Sequence, residues 1–170
     1  NDISNTASTY TASNLIATTY YRAVVQSGVC DPAYSSIAKV TVSEVAVGGT
    51  VTGGTTVCTG VNSTRLAVSG YTSAVTKWQW STSATFATNV NDTSVTADTL
   101  MVTNLTATRY YRAVIANGAC TANSDSVKIT VDPASVGGTA TGGTTVCYGT
   151  NATTLTLAGN VGTVQWQSSS

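Results

Sequence analysis

The side chains that could do chemistry in this chain are four cysteines, seven acids and a scatter of amides; histidine is absent. Nucleophilic catalysis needs a nucleophile, a base and an orienting group brought together. Without histidine no Ser-His-Asp set can form. The acids Asp2, Asp31, Glu44, Asp92, Asp98, Asp125 and Asp132 stand singly in the sequence. Asn89, Asn91 and Asp92 come closest to a calcium loop, but they lack its alternating acidic spacing and read as a polar turn. Gly48-Gly49 and Gly53-Gly54 are followed by neither a lysine nor a helix, which excludes a phosphate loop. Their expected role is a flexible hinge between units. The chain is therefore expected to be non-catalytic, with no metal site and no cofactor.

Cys30, Cys58, Cys120 and Cys147 are too far apart in sequence for the close pairs of a zinc site. Disulfides in an oxidising, extracellular setting are their expected use. Charged residues make up 8% of the 170, and seven cations balance seven anions. Scattered Lys and Arg argue against a nucleic-acid surface and against a polybasic membrane anchor. No apolar run approaches the roughly 20 residues that cross a bilayer, so this segment is not expected to insert. Abundant Thr, Val and Tyr favour a pleated, half-buried surface, hence an all-β fold.

The elements that position these residues come from internal repetition. The run Val47-Gly48-Gly49-Thr50-Val51-Thr52-Gly53-Gly54-Thr55-Thr56-Val57-Cys58 recurs almost unchanged from Val136 to Cys147, 89 positions on. Tyr20-Tyr21-Arg22-Ala23-Val24 recurs at Tyr110–Val114, shifted by 90. Leu15 matches Leu105, Cys30 matches Cys120, and Trp78-Gln79 matches Trp166-Gln167 with one deletion. Residues 47–135 then form a complete repeat. Residues 1–46 form the C-terminal half of one, and residues 136–170 the N-terminal half of another. On this reading the chain is a window on a longer array, and the absence of a signal peptide before Asn1-Asp2 carries little weight.

Within the complete repeat, alternating runs predict strands at 55–58, 64–69, 75–81, 86–90, 99–103, 108–116 and 124–131. Parity places Leu66 with Val68, Trp78 with Trp80, Leu100 with Val102, Tyr111 with Ala113 and Ile115, and Val127 with Ile129 and Val131. Seven strands with a Trp on the third resemble the immunoglobulin and fibronectin type III β-sandwich, here as tandem repeats of about 90 residues. Leu105 and Tyr111, like Leu15 and Tyr21, resemble the tyrosine corner, in which a Tyr hydroxyl pins the loop before the sixth strand. The expected core signature is Trp78, Trp166, Leu105, Tyr111, Leu15 and Tyr21.

The strand order puts Cys58 and Cys120 near opposite poles of one sandwich. Three pairings stay open: Cys58 to the Cys120-type residue of the following repeat, Cys58 to Cys120, or Cys30–Cys58 with Cys120–Cys147 across the linkers. The first suits stacked units best, because bridged Cα atoms must lie within about 7 Å.

At a finer level "VGGTVTGGTTVC", "YYRAVVQSGVC" and "KITVDPASVGG" resemble the Ig-like repeats of giant surface proteins of Bacteroidota. Many of those proteins are adhesins or gliding-motility proteins exported by the type IX system. The resemblance implies an extracellular, cell-surface stalk. Its partners would be neighbouring repeats, further copies in a fibre, or surface glycans. Asp98-Thr99-Leu100 and Asp125-Ser126-Val127 resemble the family's O-glycosylation acceptors, at Thr99 and Ser126. The N-x-S/T sequons at Asn62, Asn91, Asn104 and Asn151 are what abundant Thr and Ser produce by chance. The alternative function is a carbohydrate-binding or spacer module on a secreted hydrolase, with Trp80, Tyr110 and Tyr148 as its surface aromatics.

Overall fold

A computed structural model describes residues 2–169 as all-β, with fifteen strands and no helix among them. The strands are β1 (Thr19–Tyr21), β2 (Val24–Val25), β3 (Ala33–Tyr34), β4 (Ala38–Val40), β5 (Thr50–Thr52), β6 (Thr56–Cys58), β7 (Ser63–Ser69), β8 (Ala74–Ser81), β9 (Asn91–Asp92), β10 (Thr99–Thr103), β11 (Arg109–Asn117), β12 (Cys120–Asn123), β13 (Val127–Asp132), β14 (Thr139–Thr141) and β15 (Thr156–Ala158).

Strands β5 to β13 build two sheets. One has the order β10-β7-β5; the other runs β6-β13-β11-β8-β9, with β12 also on β11. A single core joins residues of both: Val51, Leu66, Val68, Leu100 and Val102 from the first, Val75, Trp78, Tyr111, Ala113, Ile115 and Ile129 from the second. Alternation along β7, β10 and β11 places these residues on the inner faces. Val75 and Trp78 are three apart and both buried, because the β8–β11 register slips between Val114 and Ile115. The buried Trp78 indole donates to the Ala97 carbonyl at 2.9 Å, so its one polar atom is satisfied.

Three expectations about elements need correction. Residues 86–90 form no strand. Phe86 and Asn89 have φ of 55° and 53°, a left-handed conformation that breaks a ladder, and pairing resumes only at β9. The stretch 124–131 is not one strand. The backbone leaves the ladder at Ser124, whose buried hydroxyl accepts from Ala113 N–H at 2.8 Å and donates to the Asp125 carbonyl at 2.7 Å.

The third correction concerns the glycines. β5 pairs antiparallel with β7, while β6, four residues later, pairs parallel with β13 in the other sheet. Gly53, at φ 99°, and Gly54 carry the chain across. A Cβ on Gly54 would run into Val127 Cγ2 and lie 2.8 Å from the Lys128 carbonyl oxygen. These glycines are a fixed crossing inside one unit rather than a hinge between units. Gly48 is likewise closed in, against the Asn123 carbonyl.

The flanks repeat fragments of this arrangement. β1 pairs with β4 through Thr19↔Val40 and Tyr21↔Ala38, as β11 pairs with β13 through Arg109↔Ile129 and Tyr111↔Val127. β14 pairs with β15 through Thr139↔Ala158, as β5 pairs with β7 through Thr50↔Ser69. Neither flank has the facing sheet. Trp166 is 51% exposed where Trp78 is fully buried, Leu155 is exposed, and Leu15 and Tyr21 are half-buried.

Gly54→Ala should destabilise the chain by about 1–3 kcal/mol through overpacking at the crossing. Gly143→Ala, at the matching place in the third segment with nothing within 4 Å of the new Cβ, should change stability by less than about 0.5 kcal/mol. Urea denaturation followed by circular dichroism reads the difference; equal effects would contradict the crossing.

Candidate functional site

Among the described residues no group of three His, Cys, Asp or Glu side chains could hold a metal. Asp92 has both carboxylate oxygens engaged: Oδ2 receives Lys77 Nζ at 2.6 Å and Oδ1 receives Gln79 Nε2 at 2.8 Å. Asn91 donates to the Asn89 carbonyl at 2.8 Å. Of the three residues considered for calcium, only Asn89 lies in a turn, at φ 53°; Asn91 and Asp92, expected in the same polar turn, form β9 opposite Trp80 and Gln79. The ladder continues across the outer face of the larger sheet. Arg112 Nε donates to Gln79 Oε1 at 2.9 Å, and its guanidinium lies 4.2 Å from the centre of the Phe86 ring. The Lys77 hydrogen bond, then that of Gln79, holds the Asp92 carboxyl below its usual range.

The poles of the middle unit are built differently. At the C-terminal pole the centre is Asn62. Its Nδ2 donates to the carbonyls of Cys58 and Leu105, each at 2.8 Å, and its Oδ1 accepts from Leu105 N–H at 2.9 Å. Its own carbonyl accepts from Asn104 N–H at 2.9 Å, and Asn104 takes a φ of 54°. The corner before β11 is therefore pinned by an amide, not by the Tyr111 hydroxyl. Tyr111 contributes its ring, 2% exposed, and burial pushes its phenol up against the opposing effect of Arg109. Sequence reading saw Asn62 only as a chance sequon. The usable signal was its recurrence as Asn151, 89 positions on. Asn151 makes the local half of the same clamp, donating to the Cys147 carbonyl at 2.9 Å.

At the N-terminal pole Asp125 Oδ1 accepts from Val51 N–H at 2.6 Å and ties β5 to the other sheet. Ser126 beside it is exposed; Thr99 is half-buried within the β10–β7 ladder. Cys120 starts β12 at this pole, its Sγ 3.8 Å from the carbonyl oxygen of Ser43 in the incoming linker. Cys58 pairs with Asp132 at the other pole. About ten residue steps of roughly 3.3 Å separate the two, far beyond the reach of a disulfide. Cys30 lies in the β2–β3 turn, at the end of its segment away from the Ser43 linker. The pairings Cys58–Cys120 and Cys30–Cys58 therefore do not fit the geometry. No disulfide joins Cys30, Cys58, Cys120 or Cys147 within the described chain.

The aromatics do not assemble a platform. Trp80 is half-buried against the core, and the Arg109 guanidinium covers its ring at 3.8 Å from the centroid. Tyr110 is half-buried on the outer face of β11, and Tyr148 stands fully exposed in the third segment.

Asn62→Ala should cost about 2 kcal/mol or more, because it leaves the Leu105 N–H without its partner and removes the shorter of the two bonds to the Leu105 carbonyl, which keeps only Gly60 N–H at 3.2 Å. Tyr111→Phe should cost less than about 1 kcal/mol. Urea midpoints compare the two, and the reverse order would restore the hydroxyl as the pin. The Asp92 ladder gives a pH signature. A carboxyl depressed in the folded state adds stability above its unfolded pKa and loses it as pH falls through the folded value. The stability gap between the native chain and Asp92→Asn should be open at neutral pH and close in strong acid. Carboxyl titration by NMR should show Asp92 rising in Lys77→Met.

The chain belongs to the family described as Domain of unknown function (DUF8696), which matches it in three stretches, residues 1–44, 47–133 and 136–170. No curated protein matches the sequence.

Proposed function

We propose that this member of the family is a segment of a non-catalytic extracellular stalk, built from tandem immunoglobulin-like β-sandwich units of about 90 residues. One observation carries the reading. The middle unit takes in its chain at one pole, where Thr50 stands opposite Ser69, and releases it at the other, where Asp132 stands beside Cys58. Units joined this way extend end to end instead of folding back. Tension on the two ends loads the parallel β6–β13 pair in shear, so its hydrogen bonds must break together. Thr56↔Thr130, Val57↔Val131 and Cys58↔Asp132 form that pair.

The cysteines fit the same reading. Cys58 stands beside Asp132, where the chain leaves the middle unit, and Cys120 Sγ lies 3.8 Å from the Ser43 carbonyl oxygen in the segment arriving at it. An inter-repeat bond from Cys58 to the Cys120-type residue of the following unit would staple the rod. Forming it takes two electrons from the thiol pair, passed to a small disulfide such as oxidised glutathione, with loss of two protons. Two features of the outer surface suit exposure on a cell: low charge with scattered hydroxyls, and an accessible acceptor at Ser126. The described residues contain no helix long and apolar enough to cross a membrane. Adhesive or gliding use at a bacterial surface, with type IX export, extends this reading. The carbohydrate-binding alternative loses its main candidate, because Trp80 lies beneath Arg109.

Pulling a tandem array of the 47–135 unit in a force microscope tests the proposal. Reduced units should yield one at a time, each releasing about 30 nm of chain. With oxidised glutathione, inter-repeat staples should confine extension to the linkers, whereas a Cys58–Cys120 bond would leave about 9 nm per unit. Featureless extension without discrete peaks would overturn the stalk.

A further inference from the structure

We propose that β10 is a pairing edge, and that two copies of this chain join side by side through antiparallel β10–β10 pairing about Met101. β10 ends the β10-β7-β5 sheet and pairs only with β7 among the described residues. That pairing runs on past both ends of the strand. Val68 N–H reaches the Asp98 carbonyl at 2.9 Å, and Asn104 N–H reaches the Asn62 carbonyl at 2.9 Å. Antiparallel strands alternate between residues bonded to a neighbour and residues turned away from it. Asp98 and Asn104 therefore fix the pattern. Leu100 and Val102 bond to β7, while Thr99, Met101 and Thr103 turn their N–H and C=O groups to the open side.

An open edge invites another strand, and proteins ordinarily block it. The other edges of the middle unit are blocked or short. On β5, Asp125 fills the outward side: its N–H meets the Gly49 carbonyl at 3.2 Å and its Oδ1 meets Val51 N–H at 2.6 Å. β9 is two residues long and carries the Asp92 charge, and β6 has three residues. Ser43 of the incoming chain lies against Ala119 and Cys120 at the start of β12. β10 has five residues, Thr-Leu-Met-Val-Thr, without charge, proline or glycine. Its centre, Met101, is the chain's one methionine and is 60% exposed.

The order of these residues names the occupant as a second copy. The strand reads alike in both directions: Thr, aliphatic, Met, aliphatic, Thr. A two-fold axis at Met101 sets Thr99 against Thr103, Leu100 against Val102, and Met101 against its own copy. In that register every open backbone group of β10 meets an open partner. Thr opposite Thr and aliphatic opposite aliphatic are favourable cross-strand pairs. Charge does not oppose the contact. Asp98 falls opposite the neutral Asn104. The one charge on the three strands of this sheet, Arg65, stands opposite Met101 on β7. The two Arg65 residues would be three strand spacings apart, about 14 Å, beyond the screening length of about 8 Å at physiological salt. In the first segment Thr11 stands in the place of Met101, so the apolar centre is not copied there. Because the same edge serves both partners, the contact is isologous and closes as a dimer. It runs along the side of the unit and leaves the entering and leaving chain free. The pairing itself needs only the β10 edge; its use, holding stalks side by side, rests on the stalk reading.

Sedimentation of the full 170-residue chain under reducing conditions tests it. The native chain should form a reversible dimer at high micromolar concentration and nothing larger. Met101→Lys and Met101→Glu, at an exposed position, should each weaken the dimer about tenfold or more, because like charges meet at the axis. Their equimolar mixture should restore it, with opposite charges facing. Amide exchange should show Thr99, Met101 and Thr103 gaining protection as concentration rises, while Leu100 and Val102 are protected throughout. A native chain that stays monomeric at high micromolar concentration, or whose three open amides gain no protection, would overturn the pairing. So would a Met101→Lys chain that dimerises as the native one does, or a mixture no tighter than its components. Monomers that still give discrete unfolding peaks under force would sink the pairing and leave the stalk standing. Featureless extension with the dimer intact would do the reverse.

Discussion

The burial of Trp78 between two sheets is the contact on which the rest of the middle unit depends. The ring is fully enclosed, and its nitrogen reaches the Ala97 carbonyl. That enclosure needs Leu66 and Leu100 on one side and Tyr111 and Ala113 on the other. None of these is near Trp78 in sequence. Trp166 shows what happens without them: the same Trp-Gln pair, half exposed. Burial here belongs to the completed unit and not to the local sequence, as expected when long-range apolar contacts carry sheet stability.

The polar framework follows the same division between local and distant partners. Asn62 bonds Cys58 four residues away and Leu105 43 residues on. Asn151 keeps the first bond and lacks the second. Asp125 and Ser124 work similarly at the other pole, where a side-chain oxygen stands in for a missing ladder partner. Each pole therefore has a clamp that closes only when the unit's N-terminal and C-terminal halves meet. Such clamps set register at modest cost, since a slipped strand would leave buried N–H and C=O groups unpaired.

Much of this was legible in the sequence because strands have a period of two. The inward sets Leu66 with Val68 and Tyr111 with Ala113 and Ile115 follow from parity and the 90-residue repetition. What was hidden follows from physics that parity does not encode. β5 is three residues long between glycine pairs, and a short run flanked by glycine reads as a hinge until the facing strand is known. The Phe86 turn depends on left-handed backbone at residues other than glycine, which sequence signals poorly. Asn62 sat in a common tripeptide, so its role was masked; only its place beside Cys58 in both repeats marked it. The tyrosine-corner analogy found the right residue, Tyr111, and the wrong atom. The opposite poles of Cys58 and Cys120 could be reasoned from strand order, since an odd number of strands, five, separates them.

Near-identical units in tandem carry a hazard that the same features contain. A half-unit that fits any other half-unit can pair with the wrong neighbour, and repeat proteins misfold this way. Sequence differences between equivalents would bias the choice. Ser168 stands where Trp80 packs, and Tyr10 stands where Leu100 is buried; Tyr10 already rests 5.6 Å from Tyr21. A unit assembled from halves that both carry the aromatic, or both the smaller residue, would be over- or under-filled at that layer. Cores tolerate exchanges that conserve volume and penalise those that do not.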